Sequence, residues 1–574
     1  MPRIKKVVSK GKNYYYIAES IREGPNVKTR IIRKLGRLNS TELKYWKKLI
    51  EEPITKPSQV PFININKFHN YQSLRHGIGA LCHGIWKKYG FDNIFRKSFS
   101  GFVNKLKNVK LCEIMVINRL DDPCSKLHLL EWLPKTSLPF ILSLRSDTLY
   151  NNLFYRAMDM MWKQRDIIEK NIWEEIIKPR TNGNILQKDI TSSYFEGRGP
   201  PNAKHNRYSR DRRPDCTQVC WGLVETEEGY PITMEIYPGN TVDKTTIDAS
   251  CQRLKNVFNI TTGIFVGDRG LTTEDNIATI RSYNYDYVLA ETNSNVLEIL
   301  ETARVKGLDI WEHEKSTQRV LPGFEGSNKY ILKGTEIISN DERHVVAWSN
   351  EKEEEEIQHL SEQLQKGKKI IENANNYAKT HPNVHHHKIL KMAIRNLEAK
   401  NISTYFDVFC ETEYPVKLGY KEKKKIQDIR DNAGYWVLRT SLKNRNGLEI
   451  IEMYRGKWIL EQTFREIKDV LEVRPIRHRK EKRVEVHIWT CVLAYLIEKI
   501  LEEDVRRCGI SLTGEGIFEK FREIRLNEDG FEDIKKKWWA VTDIDYHQKK
   551  ILNAIRLDEK IFKIEPRSLK EGEM

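Results

Sequence analysis

In the stretch Tyr454–Arg479, YRGKWILEQTFREIKDVLEVRPIRHR, a phenol, cations and a carboxylate recur at helical spacing. Wound at about 100° per residue, Tyr454, Lys457, Glu461 and Lys468 fall within about 60° of one another. Beside them Met453, Ile459, Leu460, Phe464, Ile467, Val470 and Leu471 form a stripe roughly 140° wide, enough for a core face. Arg455 points elsewhere on such a helix. The plain reading of Lys457 and Glu461 is an exposed i,i+4 pair. In its weaker, lysine-first orientation such a pair contributes only about 0.3–0.5 kcal/mol.

Two further acids change the weight of that helix. Asp189 lies inside NILQKDITSSYFEG, a strand pattern in which aspartate is disfavoured. Asp268 ends the apolar strand GIFVGDRGL. Taken singly, the first reads as an edge-strand surface acid and the second as a turn residue or helix cap. If the two strands are neighbours, the acids stand side by side, and Glu461 on a helix packed against the sheet brings a third. Two bare carboxylates about 4 Å apart repel by about 4 kcal/mol at an effective dielectric of about 20. A divalent cation relieves that repulsion, and oxygen-only donors favour Mg²⁺ or Mn²⁺. A pair of such ions flanked by basic residues serves in-line attack on a phosphodiester by water or a 3′-hydroxyl. No protein nucleophile is needed, and the sequence offers no Ser-His or Cys-His constellation. Should Glu461 not be the third acid, Glu466 is the next candidate.

Other metal-ligand types carry less. Nine scattered cysteines, an odd number, suit reduced thiols in a cytosol. Cys216 and Cys220 lack the second pair of a zinc site. His385–His387 sit in a charged helical stretch and read as solvated surface.

The elements that must position these residues can be read from periodicity. Residues 1–38 read as short strands with turns at Gly11–Asn13 and Gly24–Pro25. Residues 61–180 have helical periodicity and predict a mostly helical domain. From Asn182 the order is β-β-β-α-β-α-β, with a helix over about Val242–Phe258 and Thr272–Asp275 as a capping box. That order is an α/β mixed sheet with flanking helices. Residues 294–442 read as one insertion domain, β-rich, with a charged helical arm over Glu351–Lys400 that is solvated or coiled. The core resumes over 443–505, and 506–574 reads as a polar helical C-terminal region.

Composition bounds the partners. Lys plus Arg number 97 against 80 Asp plus Glu, a formal net charge of +17, which points to a polyanion, nucleic acid before anionic membrane. Residues 1–40 alone carry eleven Lys/Arg against Glu19 and Glu23. Further basic runs start at Arg198 and Arg474. No apolar window is long enough for a membrane span, and no signal peptide is evident.

Asp189 in KDITSSYFEG, Asp268 in VGDRGL and Glu461 in YRGKWILEQTFREIK, in that order and at these separations, resemble the three acids of the DDE insertion-sequence transposases. The subgroup meant carries a Tyr-x2-Arg-x3-Glu-x6-Lys signature and a β-rich insertion before the last acid. Tyr454, Glu461 and Lys468 match it. Lys457 replaces the arginine, keeping charge but losing a bidentate fork. The resemblance implies a ribonuclease-H-like core in which Asp189, Asp268 and Glu461 hold two Mg²⁺ (or Mn²⁺) ions. It implies that Tyr454, Lys457, Lys468 and Arg455 grip phosphates. It also implies double-stranded DNA partners (transposon ends and target), a dimer in the synaptic complex, and a nucleoid-associated place in a prokaryotic cytoplasm. Trp436, in GYWVLRTSL, is a candidate stacking partner for a base flipped out of the DNA end; its plain reading is core packing. Rival functions are an idle DNA-binding descendant and a nuclease without strand transfer.

Overall fold

The computed structural model describes residues 3–9, 12–23, 26–51, 68–206, 209–311, 331–339, 342–531 and 536–563. The chain divides into two units, one of residues 1–72 with 527–540 and the other of 73–526 with 541–574.

In the first unit β1 (Arg3–Ser9), β2 (Lys12–Glu23) and β3 (Asn26–Gly36) form an antiparallel sheet, followed by a helix over Ser40–Glu51. The expected strands are present; the turns at Gly11 and Gly24–Pro25 lie outside the described residues. Val7, Val8, Val27, Ile31 and Ile32 are exposed on this small sheet. A further strand, β4 (Phe68–Arg75), pairs with a C-terminal hairpin.

The second unit begins with helices that include Gly77–Lys88, Lys105–Asp121 and Asn151–Lys163. The sheet comes next in the chain: β5 (Ile185–Tyr194), β6 (Gln218–Thr226), β7 (Pro231–Pro238), β8 (Ile264–Gly267) and β9 (Asp286–Ala290). β5 runs antiparallel to β6, and β6 to β7, while β8 and β9 run parallel to β5. Helices Ile247–Asn256 and Glu274–Ser282 make the crossovers. This is the mixed sheet that the element order predicts, and it is the ribonuclease-H-like core that the resemblance implies. The second crossover helix is capped by Thr273, whose side chain accepts from the Asn276 N–H. Thr272, the expected cap, instead donates its hydroxyl to the Ala290 carbonyl.

Residues 294–442 divide their roles. β10 (Asp309–Trp311), β11 (Leu332–Ser339) and β12 (Glu342–Ser349) belong to the same sheet beyond β9 and bring it, among the described residues, to eight strands before a ninth joins them. The charged stretch forms two helices, Asn350–Thr380 and His386–Ala399, packed with the hairpin β13 (Phe406–Glu413) and β14 (Val416–Glu422). Leu360, Leu364, Gly367, Ile371, Ala374 and Ala378 line the buried seam of the longer helix. Their spacing alternates four and three, the coiled-coil rhythm. β15 (Tyr435–Thr440) then returns to the sheet between β12 and β9, so the insertion is stitched to the catalytic layer at its strand ends.

The helix Glu481–Arg507 has charged ends, and its middle, Val486–Glu498, is buried all round. Its Ile488, Val492 and Leu496 belong to one apolar core with Leu111 and Met115 of the N-terminal helices and with Trp221 and Leu223 of β6. The helical segment and the sheet thus share a core. The C-terminal region, expected as helical, also holds two strands, β16 (Arg525–Phe531) and β17 (Lys536–Val541), which complete the sheet with β4. Trp538, Trp539 and Val541 supply strand propensity that the polar average hides.

Candidate active site

Asp189 interrupts a buried strand. Every residue of β5 is buried except Asp189 and Tyr194, which are half-buried. The parallel register with β8 pairs Ile185 with Ile264, Leu186 with Phe265 and Gln187 with Val266. Carried on, that register sets Asp268, just past the end of β8, opposite Asp189. There the chain leaves the strand extended and turns, the Asp268 carbonyl accepting from the Leu271 N–H. The two acids therefore meet where the middle of β5 runs beside the carboxyl end of β8.

The stretch over Tyr454–Leu471, expected as one helix, is broken. A helix over Gly447–Arg455 opens on a capping box formed by Asn446 and Glu449 and stops at Gly456. A new helix runs over Trp458–Arg465 and widens into a π turn over Glu466–Val470. Gly456 lies against β5, where a Cβ would stand 3.3 Å from Gln187 Nε2. The break drops Tyr454 and Lys457 onto the acids. The Tyr454 hydroxyl donates to Asp268 Oδ1 at 3.2 Å. Lys457 Nζ lies 2.5 Å from Asp268 Oδ2 and 3.7 Å from Asp189 Oδ2, with only 5% of its side chain exposed.

The electrostatics arise from that geometry. Burial above all, opposed by Lys457 and reinforced by the Asp268 charge, pushes the Asp189 carboxyl up to about 6. Burial works against the Lys457 charge, but the two aspartates outweigh it and hold its pKa above the ordinary lysine range. Burial and the neighbouring Asp268 push the Tyr454 phenol up.

Glu461 is exposed, one turn beyond Lys457, and its charge acts on both Lys457 and Tyr454. It does not close a tight trio. Among the described residues the group of three whose ligand atoms all lie within 4.8 Å of one another is His385, His386 and His387, at the surface. Glu466, the reserve third acid, faces away and hydrogen-bonds with Glu498, its carboxyl pushed up by burial. Lys468 is buried and lies 2.7 Å from Asp211, which also pairs with Arg474. Arg455 lies 3.9 Å from Glu351. Trp436 is half-buried in β15, opposite Ala347, and packs on the apolar cluster that takes in Met453 and Tyr454. That is a strand position beside the Gly447–Arg455 helix rather than a loop tip.

Sequence reasoning missed Asp211, Arg474 and Gln187. Asp211 is the one acid in the run RYSRDRR, and an acid kept inside a basic run is the signal that could have marked it.

A hard divalent ion suits this donor set. Two carboxylates converge from adjacent strands, an ammonium already stands between them, and a third carboxylate lies one helical turn on.

A family profile for the transposase DDE domain matches residues 192–497, more than half of the 574-residue chain. The chain belongs to the DDE-domain transposases. A second profile, the N-terminal domain of IS1634 family transposases, matches residues 3–59, a span that holds the basic three-stranded sheet and the helix after it. No curated protein matches the chain. Asp268 and Glu461 of the transposase fall inside the matched DDE region, and Asp189 lies just before it. Membership makes DNA the substrate class and divalent metal ions the family's chemical means. Among the described residues of the transposase no helix is long and apolar enough to cross a membrane.

Proposed function

We propose that this transposase binds the double-stranded ends of an insertion sequence, cuts there and joins the freed 3′-ends to a target. Asp189, Asp268 and Glu461 are its metal-holding acids, with two Mg²⁺ ions, or Mn²⁺, per site. The observation that carries this reading is the pairing of Asp189 and Asp268 across parallel strands with a cation between them.

When bound, such ions supply an activated water or 3′-hydroxyl and steady the leaving oxygen. The protein's own residues do the rest. Tyr454 fixes the Asp268 carboxylate through its hydroxyl. Lys457, Lys468 and Arg455, each beside an acid in the free chain, offer positive charge to the phosphates beside the scissile bond. The basic loop after β5 and the run from Arg474 extend that charge to neighbouring phosphates. The N-terminal β element and the helices of residues 61–180 serve end recognition, and two subunits meet in the synaptic complex.

The test is to incubate purified protein with a labelled duplex from the flanks of its own reading frame, with Mg²⁺. Both nicked and joined products are expected, and neither from Asp189→Asn, Asp268→Asn or Glu461→Gln. Nicking without joining would reduce the protein to a nuclease; binding without either product would make it an idle relative.

A further inference from the structure

Lys457 stands where a metal ion would have to stand. Its ammonium lies 2.5 Å from Asp268 Oδ2 and 3.7 Å from Asp189 Oδ2. Its side chain is almost fully covered, so this is a fixed internal ion pair and not a surface lysine that drifts past. A Mg²⁺ or Mn²⁺ ion held by the same two carboxylates would compete with that ammonium for their oxygens. That places two charges of like sign within a few ångströms of each other, in a site that water reaches mainly from the Asp268 side. We infer that Lys457 is the resident counter-charge of the Asp189–Asp268 pair, and that a divalent ion binds only by displacing its ammonium. The inference rests on the reading of Asp189 and Asp268 as metal-holding acids.

The surroundings let the ammonium leave. Lysine is a point charge on a flexible four-carbon stem. Glu461, exposed and one turn along the chain, already attracts it. A DNA phosphate reaching the rim offers a second destination. An arginine here would hold the carboxylates through a planar, bidentate fork rather than as a point charge. The lysine that replaces it in this chain is compact enough to fill the space. Asp268 stays anchored meanwhile, because Tyr454 holds its other oxygen. The acid pair is therefore partly neutralised before metal arrives, which eases the repulsion between the two carboxylates and lowers metal affinity in the free protein.

The experiment measures Mn²⁺ binding to the full chain without DNA, by titration calorimetry and by the loss of the free-ion electron-resonance signal. Lys457→Met, close in length and uncharged, is expected to bind Mn²⁺ at least about tenfold more tightly than the wild type, a modest return for removing a competing charge at this range. Without metal, the same variant should melt below the wild type, since its two carboxylates then repel unopposed, and Mn²⁺ should raise its melting temperature by more. Lys457→Gln serves as a second variant should the first not fold. Asp189→Asn is the control for the underlying reading. If it binds Mn²⁺ like the wild type, the acids do not hold metal and the proposed function falls with this inference. If Asp189→Asn has lost Mn²⁺ binding while both Lys457 variants bind it no more tightly than the wild type, the acids stand and competition by Lys457 is overturned.

Discussion

At the scale of single residues, the same helix pair carries carboxylates of opposite character. Glu461 is exposed at the acids' rim; Glu466 is turned inward toward Glu498. Glu461→Gln is therefore expected to abolish DNA cleavage and leave duplex binding intact, whereas Glu466→Gln should cleave at close to the wild-type rate. A cleavage assay on the two variants decides, and the reverse pattern would mean that the third acid is Glu466. Behind this helix Glu225 is fully buried in β6, with Thr463 Oγ1 and Glu225 Oε2 2.9 Å apart. Burial pushes its carboxyl from 4.5 up to about 8, only partly offset by Thr463 and Lys499. With the folded-state pKa raised, the folded chain keeps a proton that the unfolded chain has lost across that window. Stability therefore falls as pH rises through it, by up to about 1.4 kcal/mol per pH unit for this group. Glu225→Gln should flatten the decline in melting temperature between about pH 5 and pH 8, and an unchanged slope would contradict the buried, protonated state. Residue types were legible in the sequence: Asp189 stood out as an acid in a strand and Asp268 as an acid ending one. Which carboxylate on a helix faces the site and which faces the core was not, because neighbouring rim positions differ by less than the local break at Gly456.

At the scale of elements, the strand order could be read because each buried strand is a short apolar run bounded by turns, with helical periodicity between. The adjacency of β5 and β8 was open in the sequence, where the first and fourth strands of such an order can be neighbours, and the structure pairs them. The helix break could not be read. Gly456 has ordinary helical dihedrals, and what interrupts the helix is the approach to Gln187 on β5, a tertiary event. The strands of the insertion were legible, but their continuation of the main sheet rests on pairings between residues far apart, such as Leu438 with Ala290. One turn ties sheet to helix: Gly229 has φ +85, and a Cβ there would lie 2.7 Å from Ile459 Cγ2 on the Glu461 helix. Gly229→Ala is expected to destabilise the fold by about 1–3 kcal/mol through backbone strain and overpacking. It should also lower cleavage by shifting Glu461. A denaturant melt and a cleavage assay check both, and a variant as stable as the wild type would show that this contact does not position the helix.

At the scale of the whole molecule, charge and site divide between two units. The basic N-terminal element, +9 over residues 1–40, belongs to the unit without the acids. Deleting residues 1–40 is expected to weaken duplex binding and make its salt dependence shallower, since fewer counterions are released. An unchanged salt slope in a titration series would mean that this element does not touch phosphates. Charge and domain texture showed in composition, whereas the core shared by the N-terminal helices and the sheet did not, because apolar periodicity marks a buried face without naming its partner. The central claim is that Asp189 and Asp268 act together as one metal-holding pair on DNA. Its most direct test is Mn²⁺ titration of the wild type, Asp189→Asn and Asp268→Asn, each followed by cleavage of a labelled element end. Loss of both Mn²⁺ binding and cleavage in each single variant is the predicted result. Wild-type Mn²⁺ affinity and cleavage in either variant would contradict it.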